Sequence, residues 1–248
     1  MVTFQFLSDL HLEDNDEYLN PLDFVTPNSE ILILAGDIGS LYKKEQLQTF
    51  LFEICKLFKL VIYVIGNHEW YKMTNYAPLP HQVLEQRIKD INSLISNLYI
   101  LNRKSIKIGN ICIAGATLWS NPMNNFNSYI VRIHKINQEK YKELHNKDLN
   151  FIINIKKYCE SNNLKLLVVT HHPPTLKVIN NKKCKKNPNI YGTNLEYLFE
   201  DDIIKAWICG HTHKNYNTVI NNCKIVSNQK GKDKDKILDF SKTKFIKI

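Results

Sequence analysis

Short apolar runs rich in β-branched residues recur along the chain: VTFQFL (2–7), ILILA (31–35), LVIYVI (60–65), IKIGNICIAGA (106–116), LKLLVVT (164–170), AWIC (206–209), CKIVS (223–227) and TKFIKI (243–248). Their length and composition predict strands, several of them buried on both faces. Between them the apolar positions take a helical spacing. In KEQLQTFLFEICKLF (44–58), Leu47, Phe50, Leu51, Ile54 and Leu57 fall on one stripe, and in VLEQRIKDINSLI (83–95) Leu84, Ile88, Ile91 and Ile95 do the same. NKDLNFIINIKKYCES (146–161) is a third candidate helix. This alternation predicts an α/β fold with strands packed between helical layers, the strand-rich later part forming a second sheet against the first. No internal repeat and no Pro/Gly/Ser linker divides the chain, so one domain over residues 1–248 is expected.

Composition changes this picture little. Hydrophobic residues make up 44% and charged residues 23% of the 248, an ordinary globular balance. No apolar run approaches bilayer length, and the start, MVTFQFLSDLHLED, lacks a basic leader and turns acidic at once. The six cysteines are scattered without a CxxC pair, several inside apolar runs, which reads as buried reduced thiols and a cytoplasmic protein. The net charge of +9 comes from lysines spread along the chain, with small clusters at 182–186 and 230–236. Such a spread does not favour a specific nucleic-acid partner.

The chemistry lies at the ends of the apolar runs. SDLHLE places Asp9 and His11 after the first run, GDIG places Asp37 after the second, and GNHEW places Asn67 and His68 after the third. HHPP places His171 and His172 after LLVVT, and GHTH places His211 and His213 after AWIC. Ligands of open α/β sheets bind outside the carboxyl ends of strands, so five such ends can converge on one site. The i,i+2 pairs Asp9/His11 and His211/His213 would aim both side chains to one side if the backbone there is extended. Imidazole, carboxylate and amide oxygen suit divalent zinc, manganese or iron. Two carboxylates and several histidines exceed the needs of one tetrahedral ion and suit two, about 3.5–4 Å apart, with a bridging carboxylate and water.

In that order, DLH, GD, GNHE, THHPP and GHTH resemble the calcineurin-like metallophosphoesterase superfamily. Within it the chain is similar to a group of small bacterial-type phosphohydrolases, through SDLHLE, LAGDIG, GNHEWY, GATLWS, VVTHHPP and WICGHTH, and more weakly YGTNLEYL and VSNQKG, from residue 3 to about 231. The resemblance implies a four-layer α/β/β/α sandwich of two mixed sheets flanked by helices. It implies that Asp9, His11, Asp37 and His213 hold one metal ion, and that Asp37 bridges to a second held by Asn67, His171 and His211. His68 would bind no metal and would face the substrate, stabilising phosphoryl charge or protonating the leaving oxygen. The implied activity is hydrolysis of a phosphate mono- or diester by in-line attack of a metal-bridging hydroxide, on a small substrate, with manganese, iron or zinc as the ions.

The chain departs from the Ser/Thr protein phosphatases. Their longer GD motif carries a second aspartate and an arginine, whereas here the sequence runs GDIGSL, so the acid that would pair with His68 is missing at that position. A nuclease is the alternative within the class and a non-catalytic scaffold the alternative outside it, the latter disfavoured because no ligand is lost. Glu69, Trp70 and Tyr71 read as structural, His172 as a residue that supports the ligands from behind or faces substrate, Arg87 as a surface residue and Arg132 as a candidate phosphate contact. The polar stretch 120–138 reads as a lid and 176–194 as a basic loop.

Overall fold

A computed structural model describes residues 1–121, 126–179 and 187–248. Its first part alternates as the pattern predicts: β1 (Thr3–Leu7), β2 (Ile31–Ala35), α1 (Lys44–Cys55), β3 (Leu60–Val64), α2 (His81–Leu94) and β4 (Leu98–Leu101). Then come β5 (Lys104–Ile108), β6 (Ile111–Ala116), α3 (Gln138–Ser161), β7 (Lys165–Thr170), β8 (Ile204–Ile208), β9 (Asn217–Ile220), β10 (Cys223–Val226) and β11 (Phe245–Lys247). The first sheet has the order β11-β1-β2-β3-β4, and the second the order β5-β6-β7-β8-β10-β9. Strands β1 to β4 run parallel, with β11 antiparallel at one edge. In the second sheet β6, β7, β8 and β10 run parallel between antiparallel edges.

The period-two geometry of a strand sorts the apolar residues into layers. Phe4, Phe6, Ile33, Ala35, Ile62 and Val64 of the first sheet meet Ile113, Leu167, Val169, Ala206 and Ile208 of the second. The alternate positions Leu32, Leu34, Val61 and Tyr63 face outward, onto Leu47, Phe50 and Leu51 of α1 and Leu84 and Ile91 of α2. Cys112, Ala114, Leu166, Val168 and Trp207 face the other way, toward Ile152 and Cys159 of α3. The result is the four-layer α/β/β/α sandwich. Both faces of each central strand are covered, which is why those strands read as unbroken apolar runs.

Several elements differ from the sequence expectation. The run 106–116 is a hairpin, folded at Gly109, whose φ of +58° opens the turn between Ile108 and Ile111. Strands β4 and β9 are four residues each and carry no run long enough to stand out. Helix α3 begins at Gln138, where the Asn137 side chain accepts from the Lys140 amide. Its first turns bury Tyr141 and His145, a polar pair at i,i+4 that an apolar template misses. Among the described residues no helix is long and apolar enough to cross a membrane.

Candidate metal centre

The carboxyl ends of β1, β2, β3, β7 and β8 lie on one side, and the chain turns sharply as it leaves most of them. Asp9 (φ 57°), His11 (φ 50°), Asp37 (φ 53°), His211 (φ 72°) and His213 (φ 49°) are all left-handed. Each costs on the order of 1–2 kcal/mol in a residue with a Cβ, and such strain gathers where surrounding structure enforces it. The expectation that extended backbone aims the i,i+2 pairs is therefore corrected: alternate left-handed residues do so. Gly36 is left-handed too, at φ +88°, and a Cβ there would lie 2.4 Å from His171 Nδ1.

Hydrogen bonds between the loops enforce the strain. The His211 amide donates to Asp9 Oδ1 (3.0 Å), tying the end of β8 to that of β1, and the His68 amide donates to Asp37 Oδ1 (2.8 Å). Glu69 acts as a clamp, as its structural reading anticipated. It accepts from the amides of Asp37 (3.1 Å), Ile38 (2.8 Å) and Gly66 (2.9 Å) and from the Tyr63 hydroxyl (2.5 Å). The His213 amide donates to Oε1 of the buried Gln229 (2.6 Å), which gives the VSNQKG segment its part in the site.

Six of the seven expected donors come together in two groups. Ligand atoms of Asp9, His11 and His213 lie within 4.8 Å of one another, as do those of Asp37, His171 and His211. His11 Nε2 and His213 Nε2 point at one spot, 3.0 Å apart, with Asp9 Oδ1 3.5 Å from His213 Nε2. Asp37 Oδ2 lies between the groups, 3.1 Å from His171 Nε2 and 4.0 Å from His11 Nε2. His11, Asp37 and His68 also form a set within 4.8 Å.

In three of the four candidate histidine ligands the opposite ring nitrogen is held as in metal-binding histidines generally, by a carbonyl or a carboxylate. His171 Nδ1 faces Ala35 O (2.9 Å), His213 Nδ1 faces Asp235 Oδ2 (2.5 Å) and His11 Nδ1 faces Glu13 Oε1 (3.2 Å). Asn67 Oδ1, buried in the wall shared with His68 and His211, has no hydrogen-bond partner, and His171 Nε2 faces the Asp37 carboxylate without a well-aligned hydrogen bond. Unpartnered buried atoms of this kind are costly, and they fit a divalent cation, as do the nitrogen and oxygen donors around them.

Electrostatics point the same way. Burial pushes the Asp37 carboxyl up, but the His171 and His68 rings more than reverse this and hold it well below its ordinary value. Asp9 is lowered too, against burial, by His213 and His171. The two carboxylates in turn demand positive charge beside them: burial opposes it, yet Asp37 lifts His171 to about 10 and Asp9 lifts His213 to about 9. His172 goes the other way, to about 3, through burial and the neighbouring His171.

Glu13 is the functional candidate that sequence reasoning missed. It is buried, and its Oε1 lies 2.8 Å from His68 Nδ1 as well as 3.2 Å from His11 Nδ1. Burial opposes its ionisation, but these two histidines bring it down to about 2. The acid absent from GDIGSL is thus supplied from the first motif. Only its i,i+2 spacing from His11 in SDLHLE signalled it; the partner at position 68 is invisible locally.

Two cavities flank the centre, with His68 and Tyr71 in the wall of both. One, of about 200 Å³, reaches Asn67, His172 and His211 and is otherwise walled mainly by aromatic and aliphatic side chains, with Ser120 and Asn127 among them. The other, of about 180 Å³, carries Glu13, Asp14, Arg132 and Lys232. His172 faces the first cavity, and its ring centroid lies 3.9 Å from that of His211. Arg132, expected near phosphate, lines the second and lies 5.6 Å from the Tyr71 ring centroid. Trp70 is core, stacked on His81. Arg87 is not a free surface residue: its Nη1 donates to Leu41 O at 2.6 Å. Parts of the expected lid and basic loop, 122–125 and 180–186, lie outside the described residues.

Comparison with known proteins bears on the fold and the family. The chain is 28% identical to an uncharacterized protein of Acanthamoeba polyphaga mimivirus, covering 93% of this chain and 91% of that one. Its fold is similar to that of a phosphopantetheinyl hydrolase from Mycobacterium tuberculosis, with a TM-score of 0.69 at 15% identity over 94% of this chain and 90% of that one. It is also similar to a dimetal phosphatase from Danio rerio, with a TM-score of 0.54 at 13% identity over 91% and 86% of the two chains. The family model for calcineurin-like phosphoesterases matches residues 2–215, from the first strand through the last histidine motif, and the chain belongs to that family.

Proposed function

We propose that the protein is a dinuclear-metal phosphoesterase acting on a small phosphate ester. Asp9, His11, Asp37 and His213 hold one divalent ion, and Asp37, Asn67, His171 and His211 the other. The observation that carries this reading is the position of Asp37, whose Oδ2 faces a histidine of each donor group, as a bridging carboxylate must. Manganese, iron or zinc suits these donors. Two such ions supply neutralisation of the phosphoryl oxygens and a water of lowered pKa for in-line displacement.

The chain's own side chains do the rest. Glu13 fixes the His68 ring through Nδ1, which leaves the other ring nitrogen to stabilise phosphoryl charge or to protonate the departing oxygen. Arg132 contacts a phosphoryl oxygen from the second cavity. The compact size of both cavities supports a small ester over a nucleic-acid strand. The names of the two solved hydrolases with this fold support the reaction class.

The test is hydrolysis of p-nitrophenyl phosphate and its bis ester by protein loaded with manganese, iron or zinc, with metal content measured in parallel. His211→Ala is expected to lose one ion and nearly all turnover. His68→Ala is expected to keep both ions and lose most of the rate. Absence of hydrolysis with every metal refutes the proposal, and metal loss in His68→Ala refutes the role given to His68.

A further inference from the structure

The apolar cavity beside the metal centre is built to exclude charge. Its walls are Tyr71, Phe126, Val131, Tyr141, Ile190 and Tyr191, and none of the described residues that line it is Lys, Arg, Asp or Glu. Several polar atoms on the wall are already bonded within the protein. Ser120 Oγ pairs with the Tyr141 hydroxyl (3.1 Å) and donates to Ile190 O (2.9 Å), and Asn127 Oδ1 accepts from the Tyr129 amide (2.9 Å). Among the described wall residues, Ser120 Oγ, the Tyr141 hydroxyl and Asn127 Oδ1 thus have their hydrogen bonds within the protein and do not call for a polar ligand.

Size narrows the occupant further. A dry cavity of about 150 Å³ lined by aliphatic and aromatic residues takes one benzene. The volume of about 200 Å³ here therefore holds one six-membered ring with a short substituent, or an alkyl chain of similar bulk. The neighbouring cavity, across His68 and Tyr71, is the charged one, lined by Glu13, Asp14, Arg132 and Lys232, with Lys232 Nζ donating to Asp14 Oδ2 at 2.8 Å. One chamber thus suits an uncharged organic group and the other is charged, and His68 lies in the wall of both.

Resting on the phosphoesterase reading above, we propose that the apolar cavity holds the alcohol part of the ester. The substrate is then a phosphate ester of a compact, uncharged, apolar alcohol, aryl or alkyl. Water oxygen bonds to phosphorus, the bond from phosphorus to the alcohol oxygen breaks, and the proton given up by the water is balanced by one delivered to that oxygen through His68. The alcohol leaves neutral, and phosphate leaves on the charged side.

The experiment measures kcat/KM of the manganese-loaded protein for straight-chain alkyl phosphates from methyl upward, for phenyl phosphate and for glycerol 2-phosphate. Burial of each added methylene is expected to raise kcat/KM roughly fourfold, until the chain fills the cavity and the rise stops. Glycerol 2-phosphate is expected at least tenfold below phenyl phosphate. A second measurement needs no turnover: 4-fluorophenol binding followed by fluorine NMR. Val131→Phe, which fills the cavity, is expected to abolish binding. Ile130→Asp, at a lining position that is 62% exposed and so tolerant of change, is expected to weaken it tenfold. A flat alkyl series without fluorophenol binding overturns the cavity assignment while leaving the hydrolase reading intact. Fluorophenol binding that Val131→Phe removes, with no ester hydrolysed under any metal, sustains the cavity and overturns the hydrolase reading.

Discussion

A carboxylate shared by two histidines ties the metal side of the centre to the substrate side. Glu13 touches Nδ1 of His11 and of His68, so its charge fixes both rings at once. Glu13→Gln keeps the size and one acceptor oxygen but removes the charge. Loss of such an outer partner typically costs 10–100-fold in activity or metal affinity. With saturating manganese, Glu13→Gln is expected to lower kcat at least tenfold and leave KM nearly unchanged; wild-type kcat would dismiss the role. Gly36→Ala tests the backbone. Its Cβ would lie 2.4 Å and 2.7 Å from atoms of the His171 ring, at a φ of +88°. Loss of the second ion and about 2 kcal/mol of stability are expected, read by metal analysis and urea unfolding. The sequence showed the donors but not how they converge. Histidine and aspartate after an apolar run are visible to the eye, whereas left-handed φ at Asp9, His11, Asp37, His211 and His213 is imposed by bonds from distant loops.

Elements were legible in proportion to how uniformly they bury apolar residues. The central strands β1, β2, β3, β6, β7 and β8, covered on both sides, announce themselves as unbroken runs. Strands β4 and β9 do not, and neither does the start of α3, because part of what α3 buries is polar. Asp148 on that helix is fully buried, accepting from Arg103 Nη1 and from the Leu118 amide, each at 2.8 Å. It pins α3 to the turn before β5 and to the left-handed Leu118 after β6. Asp148→Ala leaves a buried amide and a cation without a partner, and removing one member of such a pair is strongly destabilising. Because Arg103 is partly exposed, a loss of about 3 kcal/mol is expected, read by urea unfolding of metal-free protein. A loss below about 1 kcal/mol would mean that α3 is held by its apolar face alone.

At the scale of the whole molecule, the free cysteines report on the two outer layers separately. Cys55 closes α1 on one side, while Cys112, Cys159, Cys209 and Cys223 lie between the second sheet and α3. Burial pushes the thiols of Cys55, Cys159, Cys209 and Cys223 up to about 12 from an ordinary 9.0. The thiolate is the reactive form, so these four are expected to resist alkylation at pH 8 in the native protein and to react fully once it is denatured, as peptide mapping would show. The same shift sets the sign of a pH effect. A thiol raised in the folded state favours folding fully below pH 9, where it is protonated in both states. Between pH 9 and about 12 the unfolded chain gives up thiol protons that the folded chain retains, so stability falls as pH rises. Replacing Cys209 and Cys223 with alanine should flatten that decline in a urea titration from pH 8 to 11 while costing stability at pH 8 through the space left behind. If labelling of the α3 layer begins at a lower urea concentration than labelling of Cys55, the two outer layers open independently. Simultaneous labelling is expected, because the apolar seam between the sheets, with Phe4, Phe6, Ile113 and Val169 at its middle, is shared by both halves.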